Sequence, residues 1–264
     1  MSDGYSKLLN VKSGNANIVA MDHAMGSFVF PEFKNPGLTL EKVLEGGPDC
    51  VLVSPMLIDH FRNLFADYPE VKTIATLDAV VIPEVSGPVP VFDIDAAISL
   101  GADAVKSLLI FGQADPMDYL ENMRYVARLA EEARARRVPF MVEAVLWGPE
   151  IPEDKKRDPE LINRACRIAF ELGADLIKTE YTGDVASFKD ITANYPIPIT
   201  VLGGSKTGLE DLFKRVKDAM NAGARGVVIG RNVFQQDSPA KLVRALNGIV
   251  NEGASVNKAL ELAK

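Results

Sequence analysis

The stretch Gly173-Ala174-Asp175-Leu176-Ile177-Lys178 decides the fold, because a glycine leads directly into an apolar run and this pattern returns along the chain. Its other copies are Gly47-Pro48-Asp49-Cys50-Val51, Gly101-Ala102-Asp103-Ala104-Val105 and Gly223-Ala224-Arg225-Gly226-Val227. A glycine in this position is typical of the residue that follows a helix. The short apolar run behind it is typical of a buried parallel strand. Each copy therefore predicts a junction between a helix and a strand.

Further apolar runs alternate with these four copies. They are Ile18 to Met21, Thr73 to Leu77, Phe140 to Val142 and Ile199 to Leu202. Together the runs predict eight strands in order, with the repeat at the even positions. Helical patterns fill the gaps, and the pairs Asp115-Pro116 and Asp158-Pro159 each indicate a capped helix start. Further helix starts are expected near Asn35-Pro36 and after Pro55, and a short helix is expected after Val250.

Strands that alternate with helices imply parallel crossovers, and eight units in about 250 residues imply a (β/α)8 TIM barrel. We therefore predict an α/β fold with one TIM-barrel domain over residues 1–264. A doubly wound open sheet is the alternative. The alternating repeat favours the barrel, because the layers inside a barrel draw their side chains from alternate strands.

The bulk properties exclude several classes of function. A net charge of −7 and a pI near 5.0 argue against nucleic-acid binding. The polar start, Met1 to Val11, lacks a signal-peptide core, and no apolar segment is long enough to span a membrane. Cys50 and Cys166 are expected to be reduced, buried thiols of a cytoplasmic protein. With only two histidines, no catalytic metal is expected.

Lys178 carries the main chemical hypothesis. Burial favours the neutral form of an amine, and a neutral amine can attack a carbonyl to form a Schiff base. A lysine that pairs with a buried acid is the alternative. Lys106 holds the same place in its copy of the repeat, in a layer with Leu52 and Val228. Two inward lysines would disfavour each other's protonation, and Glu180, two residues beyond Lys178, could partner either.

Three odd-numbered strands end in acids, namely Asp22, Asp78 and Glu143. Barrel active sites lie at these carboxyl ends, where an acid could shuttle protons during imine formation and carbon–carbon cleavage. The alternative is an acid that caps a loop or neutralises Lys106. We prefer that alternative for Asp78 and a functional role for Asp22 and Glu143.

The last two strands end in glycines, in Gly203-Gly204-Ser205-Lys206 and Gly230-Arg231-Asn232. Loops after strands seven and eight form the recurrent phosphate site of such barrels, so phosphate binding is favoured over plain turns. Trp147 either lines a substrate pocket or packs on top of the barrel. His23 either lines the pocket or is buried with a backbone partner, and His60 is expected on a helix surface.

These segments resemble the archaeal-type class I fructose-bisphosphate aldolases, which are Schiff-base aldolases related to deoxyribose-phosphate and tagatose-bisphosphate aldolases. The matching segments also include Met21-Asp22-His23 and Ile177-Lys178-Thr179-Glu180-Tyr181-Thr182-Gly183-Asp184. The resemblance implies that Lys178 forms the imine, that Asp22 assists and that Gly204, Gly230 and Arg231 hold a phosphate. It also implies a homo-oligomer that needs no cofactor beyond the covalent imine.

One departure from the family concerns the fifth strand. The fructose-bisphosphate enzymes carry a Tyr-Pro-Arg-Gly run there, whose tyrosine is the acid/base. This chain has Glu143-Ala144-Val145-Leu146-Trp147-Gly148, and Glu143 is similar to the glutamate of tagatose-bisphosphate-type aldolases. The segment Val105-Lys106-Ser107-Leu108-Leu109 echoes the same enzymes. We therefore expect the chemistry to be retained with a different proton shuttle.

The predicted function is a metal-independent aldolase that cleaves or forms a carbon–carbon bond in a phosphorylated ketose, such as fructose or tagatose bisphosphate or a related deoxy sugar phosphate. Within the family, a transaldolase-like synthase and a thiolase are alternatives. Outside it, the alternatives are a flavin-binding barrel oxidoreductase, a PLP enzyme and a non-catalytic sugar-phosphate sensor. Flavin or PLP absorbance would identify two of them, and the flavin alternative leaves both buried lysines unexplained.

Overall fold

The computed structural model describes residues 4–81 and 87–264, and within them eight parallel strands close into a barrel. Each strand pairs with its neighbours in sequence, and the first pairs with the last. The strands are β1 (Ala16–Ala20), β2 (Cys50–Val53), β3 (Lys72–Thr76), β4 (Ala104–Ile110), β5 (Phe140–Val145), β6 (Leu176–Thr179), β7 (Ile199–Leu202) and β8 (Gly226–Ile229). The predicted barrel is confirmed, and the open sheet is excluded.

Helices surround the barrel. They are α1 (Pro36–Leu44), α2 (Pro55–His60), α3 (Arg62–Ala66), α4 (Ile94–Ser99), α5 (Pro116–Arg136), α6 (Pro159–Glu171), α7 (Val185–Ala193), α8 (Leu209–Asn221), α9 (Arg231–Phe234), α10 (Pro239–Glu252) and α11 (Val256–Leu262). Single turns of 3-10 helix lie at Gly4–Leu8, His23–Gly26, Pro31–Lys34 and Glu153–Lys155. Asp78–Ala79 and Val89–Pro90 form a small antiparallel ribbon.

The predicted helix starts are confirmed, with side-chain caps that explain them. The carboxylates of Asp115 and Asp158 accept backbone N–H groups in the first turns of α5 and α6. Asn35 and Ser54 cap α1 and α2 in the same way. The helix expected after Val250 is α11, and it is separate from α10 because Gly253 turns the chain with φ +71°.

The aspartates of the repeat form hydrogen bonds between neighbouring strands, which the spacing of the repeat does not predict. In three copies the aspartate carboxylate accepts the backbone N–H of a residue at the start of the preceding strand. These pairs are Asp49 with Asn17 (2.7 Å), Asp103 with Thr73 (2.9 Å) and Asp175 with Phe140 (3.0 Å). The backbone N–H of each aspartate donates in return to the carbonyl of the same partner. Each aspartate therefore ties an odd strand to the even strand that follows it.

The fourth copy carries Arg225 instead of an aspartate. Its backbone N–H still donates to the Ile199 carbonyl (2.8 Å), but no carboxylate completes the pair. The glycines that precede the strands, including Gly101 and Gly173, have φ values of +104° and +100°. This left-handed conformation favours glycine and ends each helix where the pattern predicts.

The core has two layers, one between the strands and helices and one inside the barrel. The interior layer includes Leu52 and Val228, the residues predicted to share a layer with the two lysines. Because side chains alternate along a strand, Lys106 and Lys178 also point into the barrel, and both are buried. The fold thus delivers two lysines to the interior just below the carboxyl ends of the strands.

Two expectations concern the ends and the environment of the chain. The first three residues of the polar start, Met1 to Asp3, lie outside the described residues. Across residues 4–81 and 87–264, no helix combines the length and apolar character needed to cross a membrane.

Candidate active site

Lys178 and Glu143 face each other on neighbouring strands inside the barrel. They are directly paired in the register of β5 and β6, so their side chains emerge side by side on the inner face. The Lys178 Nζ lies 2.6 Å from the Glu143 Oε1, and both side chains are buried. The second oxygen of Glu143 lies 3.0 Å from the Nζ of Lys106. Glu143 therefore bridges the two lysines.

Lys106 sits among further polar partners. Its Nζ lies 3.6 Å from Asp22 and 3.8 Å from Asp78, and it donates a hydrogen bond to the Thr76 hydroxyl (3.1 Å). Three acids thus surround one buried ammonium. Such a cluster is tolerated in a core only because each charge has partners of opposite sign.

The electrostatics of this cluster correct one expectation. Burial alone lowers the pKa of a lysine, but at Lys106 the charges of Glu143, Asp22 and Asp78 outweigh burial and raise the pKa. The expectation that the two lysines would disfavour each other's protonation is therefore wrong for Lys106, which stays a cation. The neighbouring acids determine the protonation state of Lys106, and the spacing of the repeat does not predict that they lie beside it.

Glu143 responds to the same charges. Burial by itself favours the neutral acid, yet Lys106 and Lys178 overcome it and lower the pKa of Glu143 to about 2. The carboxylate is therefore ionised at neutral pH.

Asp78 behaves as the structural interpretation predicts. Its carboxylate accepts hydrogen bonds from the Ser107 hydroxyl (2.6 Å) and the Leu108 backbone N–H (2.8 Å), and it is fully buried. Burial raises its pKa, although Lys106 and these donors partly offset that effect. Asp78 holds β3 and β4 together and helps to balance Lys106.

Glu180 does not pair with either lysine, contrary to the expectation drawn from its position. No Lys178 or Lys106 nitrogen lies within ion-pair distance of Glu180 in the described part of the chain. Instead its Oε1 accepts the indole N–H of Trp147 at 2.9 Å. Burial raises the pKa of Glu180 to about 7, so this acid is half-protonated near neutral pH. Glu143 takes the lysine-bridging position because strand register, rather than same-strand alternation, sets the distance.

His23 and Trp147 both lie at the carboxyl ends of the strands. The His23 ring packs edge-on against Phe234 and Phe30, with centroids 5.1 and 5.6 Å away. Burial lowers the pKa of His23 to about 4, and Asp22 only partly opposes this. His23 is therefore neutral at pH 7, and its buried Nδ1 has no hydrogen-bond partner among the described residues.

The loops after β7 and β8 are joined by a residue whose role the sequence does not reveal. The side-chain amide of Asn232 donates to the carbonyls of Gly203 (3.2 Å) and Ser205 (3.0 Å), and its oxygen accepts the Thr207 N–H (2.9 Å). Asn232 is fully buried. This one side chain fixes both predicted phosphate loops relative to each other.

Gly230 occupies a place with no room for a side chain. A Cβ there would lie 2.6 Å from the Ala20 carbonyl and 2.3 Å from the His23 ring. Arg231 follows it and is partly buried, which lowers its pKa. No acid lies within 4 Å of Arg231 in the described ranges. The Lys206 ammonium is already engaged, since it donates to the Gln235 carbonyl at 2.5 Å.

The remaining predicted features lie elsewhere. His60 is exposed at the end of α2, as expected. Cys50 and Cys166 are free and buried, also as expected. Within the residues that the structure describes, no three histidine, cysteine or acidic side chains converge as metal ligands.

Two residues of the site, Thr76 and Asn232, were not identified from the sequence. Thr76 precedes Asp78 by two positions, and strand alternation could have placed both on the inner face. Asn232 gives no periodic signal, because its importance depends on the contact between two loops.

Comparisons with known proteins agree with this geometry. The model of the DeoC/LacD family of aldolases matches residues 16–236. An uncharacterized aldolase of Saccharolobus solfataricus is 30% identical over 259 residues, which covers 95% of each chain. A 2-amino-3,7-dideoxy-D-threo-hept-6-ulosonate synthase of Halobacterium salinarum is 28% identical, over 93% of this chain and 90% of that one.

A solved structure of an archaeal fructose-1,6-bisphosphate aldolase is also similar. In that structure the catalytic lysine is covalently bound to the carbinolamine intermediate of the substrate. It superposes with a TM-score of 0.81 at 27% identity and covers 94% of this chain and 98% of that one. On the family match, the full-length relative and this structural likeness, the chain belongs to the DeoC/LacD family of Schiff-base aldolases.

Proposed function

We propose that this enzyme cleaves or forms a carbon–carbon bond in a phosphorylated ketose, with Lys178 as the imine-forming residue. The observation that carries the proposal is Glu143, which lies 2.6 Å from Lys178 and 3.0 Å from Lys106. An amine and an ionised acid in contact, both buried inside the barrel, are the groups that imine chemistry needs.

The first half of the reaction builds the imine. Lys178 passes a proton to Glu143, and its neutral nitrogen attacks the ketone carbonyl carbon. The carbonyl oxygen takes one proton from the attacking nitrogen and one from Glu143 and leaves as water, which gives a protonated imine and returns Glu143 to its carboxylate form. Lys106, held cationic by its three acids, keeps Glu143 in place and compensates charge as protons move. In this scheme Lys106 is a positioning residue.

The second half breaks the carbon–carbon bond. Glu143, helped by Asp22, accepts the proton of the hydroxyl on the departing fragment, which leaves as an aldehyde. The electron pair of the broken bond moves into the imine and forms an enamine. A proton returned to the enamine carbon and one water molecule then free the second product and regenerate Lys178.

The phosphate belongs at the loops after β7 and β8. Gly203, Gly204, Ser205, Gly230 and Arg231 would hold it. Among the described residues, the cation of Arg231 has no acid within 4 Å, and the glycine backbones leave room for close approach of an anion. His23 and Trp147 would border the substrate, with His23 neutral beside Gly230.

Borohydride reduction in the presence of dihydroxyacetone phosphate or fructose 1,6-bisphosphate tests the imine. We expect a mass adduct on the peptide that contains Lys178, and none in the variant Lys178→Met. The exposed Lys258 serves as a control for nonspecific modification. A folded protein that acquires no adduct on Lys178 would rule out the proposed mechanism.

A second candidate function is transfer of the bound fragment to another aldehyde, as in a synthase. The Halobacterium salinarum relative, a synthase by name, favours it. Both functions predict the adduct on Lys178. Product analysis separates them, because a transfer enzyme releases the ketose fragment joined to a second aldehyde, whereas a simple aldolase releases the fragment free. The expectations of a homo-oligomeric, cytoplasmic, single-domain enzyme without metal or cofactor stay predictions.

A further inference from the structure

We propose that Glu180 is a second catalytic acid, which delivers the proton to the enamine carbon after the carbon–carbon bond has broken. This inference rests on the proposed function, which leaves the donor of that proton unassigned. Two observations carry it, namely the place of Glu180 beside Lys178 and the state of its two carboxyl oxygens.

Glu180 lies on the inner face of the barrel, one step nearer the strand ends than Lys178. It directly follows β6, and side chains two residues apart along a strand point to the same side. The intervening Thr179 meets the Cys166 thiol of α6, so it faces outward. Glu180 and Lys178 are 8% and 6% exposed, so Glu180 is no less accessible than the lysine. A substrate bound to Lys178 would therefore lie beside Glu180.

The two oxygens of the Glu180 carboxyl group have different surroundings. The Oε1 accepts the indole N–H of Trp147 at 2.9 Å, which orients the group. The Oε2 is buried and has no partner from any other described residue. A buried polar atom without a partner is costly, so its presence calls for an explanation. A proton held on Oε2 and passed to a bound substrate provides one.

The distance from the lysine suits a transfer to carbon rather than to nitrogen. No ion pair joins Glu180 to Lys178 within 4 Å among the described residues, yet the charges of Lys178 and Glu143 act on Glu180. The enamine carbon is two bonds away from the nitrogen, so an acid that contacts this carbon must stand back from the nitrogen. Glu143 has the other position, because its two oxygens contact the nitrogens of Lys178 and Lys106.

The acidities of the two carboxyl groups support this division. Burial alone would raise the pKa of Glu143, but the two lysines lower it to about 2, so this group holds a proton weakly. Burial raises the pKa of Glu180 to about 7, and Glu143 adds to the rise, while its own backbone N–H, Trp147 and Lys178 oppose it. A general acid works best when its pKa lies near the operating pH.

The proposed step conserves atoms and charge. The O–H bond of Glu180 breaks as the electron pair of the enamine double bond forms a C–H bond at the carbon that lost the aldehyde. The nitrogen lone pair restores the protonated imine, and Glu180 becomes a carboxylate. The proton that Glu143 took from the substrate hydroxyl then reaches Glu180 through water, so both groups are ready for hydrolysis of the imine.

Hydrogen exchange on dihydroxyacetone phosphate isolates this step, because it needs neither an aldehyde nor carbon–carbon cleavage. In the imine, the reverse transfer removes a hydrogen from the carbon that carries the free hydroxyl, and a deuteron from D2O replaces it. Mass spectrometry measures the exchange, and borohydride trapping on Lys178 measures the imine in the same samples.

We expect Glu180→Gln to slow the exchange by at least about a hundredfold and to keep the trapped imine within about threefold of wild type. The glutamine keeps an oxygen for the Trp147 N–H, and the trapped imine shows that the site is intact. Glu252→Gln, at an exposed position, is the matched control and should change neither quantity.

The pH profile provides a readout that needs no variant at position 180. Exchange per trapped imine in wild type should rise as the pH increases through the Glu180 pKa of about 7, because only the carboxylate can remove the hydrogen. Trp147→Phe removes an N–H that lowers the pKa of Glu180, so its profile should shift to higher pH. A merely structural role for Glu180 predicts no such shift.

The outcomes separate this inference from the proposed function. A smaller loss of exchange in Glu180→Gln with the imine intact, or loss of the imine in the folded variant, would overturn the inference alone. So would a wild-type enzyme that forms the imine but shows no exchange or no change near pH 7. If Glu180→Gln does not fold, the wild-type profile decides. No imine on Lys178 in wild type would overturn both proposals.

Discussion

Lys106 determines whether the buried charges of the site balance. One ammonium faces Asp22, Asp78 and Glu143 within 4 Å, and the only other cation in contact with these acids is Lys178, in the part of the chain that the structure describes. The loss of this ammonium leaves acids in a low-dielectric interior with too little compensation. We therefore expect the lysine at position 106 to stabilise the fold.

Lys106→Met should destabilise the fold by about 3–5 kcal/mol, the usual cost of breaking a buried ion pair from one side. Urea denaturation followed by circular dichroism measures the free energy of unfolding. The surface variant Lys258→Met, which breaks an exposed pair with Glu261, should change it by less than about 1 kcal/mol. Equal effects of the two variants would contradict the charge balance described for the site.

Glu180→Gln should alter the pH dependence of stability. Burial raises the pKa of Glu180 to about 7 in the folded state, against about 4.3 for an ordinary glutamate. The folded protein therefore holds this proton more tightly than the unfolded chain does. That contribution to stability is complete below about pH 4.3 and declines as the pH rises through 7.

Between pH 5 and pH 8, wild type should therefore lose about 2–3 kcal/mol relative to Glu180→Gln. Urea titrations at several pH values measure this difference, and Glu252→Gln on the surface is the matched control. Trp147 is the only tryptophan, so its fluorescence provides a second readout. Its emission should change near pH 7 in wild type and stay flat in Glu180→Gln. A flat wild-type profile would contradict the assignment.

At the scale of elements, the aspartates of the repeat explain how the strands pair. Asp103 accepts two hydrogen bonds from Thr73, one from the backbone N–H and one from the hydroxyl, at 2.9 and 3.1 Å. These bonds tie β3 to β4, and the backbone N–H bond to the aspartate recurs at Asp49 and Asp175. Register matters for function, because the pairing of β5 with β6 brings Glu143 to Lys178.

Asp103→Ala should cost about 1–3 kcal/mol, since it removes the carboxylate that accepts the buried Thr73 backbone N–H, while the Thr73 hydroxyl can still donate to the Gly101 carbonyl. Asp103→Asn keeps one acceptor oxygen and should cost less than Asp103→Ala. Asp190→Ala, at an exposed position, should stay within about 0.5 kcal/mol of wild type. Chemical denaturation of the three variants ranks them, and an alanine variant as stable as wild type would show that the repeat aspartates do not support the barrel.

On the scale of elements, sequence reasoning succeeded where the signals were local. Helix caps such as Asp115 and Asp158 and the alternating apolar runs mark the starts of helices and strands directly. The prediction was wrong for a contact between side chains of two different strands. Glu180 seemed suited to pair with a lysine from its own strand, yet the neighbouring strand supplies Glu143 for that position.

At the scale of the whole molecule, the barrel and the helices packed around it bury both cysteines. Cys50 lies inside the barrel, and its thiol donates to the Leu8 carbonyl, whereas Cys166 lies on α6 against the outer layer. Burial raises the pKa of Cys166 to about 12 and also raises that of Cys50. Neither thiol can therefore react while the barrel is closed.

A thiol reagent should label neither cysteine in the native protein and both after unfolding in urea. If the barrel opens as one unit, the two sites should become reactive at the same denaturant concentration. Mass spectrometry of each peptide measures this, and a surface variant such as Lys258→Cys should react in the native state as a positive control. Labelling of one cysteine well before the other would indicate that the barrel opens in parts.

The sequence by itself determined the eight-stranded barrel, the lysine at its centre, the acids at strand ends and the glycine loops, because each of these has a local or periodic signature. The resemblance to tagatose-bisphosphate-type aldolases already pointed to Glu143, but only the tertiary structure shows that this carboxylate contacts both Lys178 and Lys106. Contact between side chains inside a barrel depends on strand register and on the charges that gather from four strands. Strand register places Glu143 between Lys178 and Lys106, and the surrounding acids keep Lys106 charged. Glu180 instead accepts a hydrogen bond from Trp147.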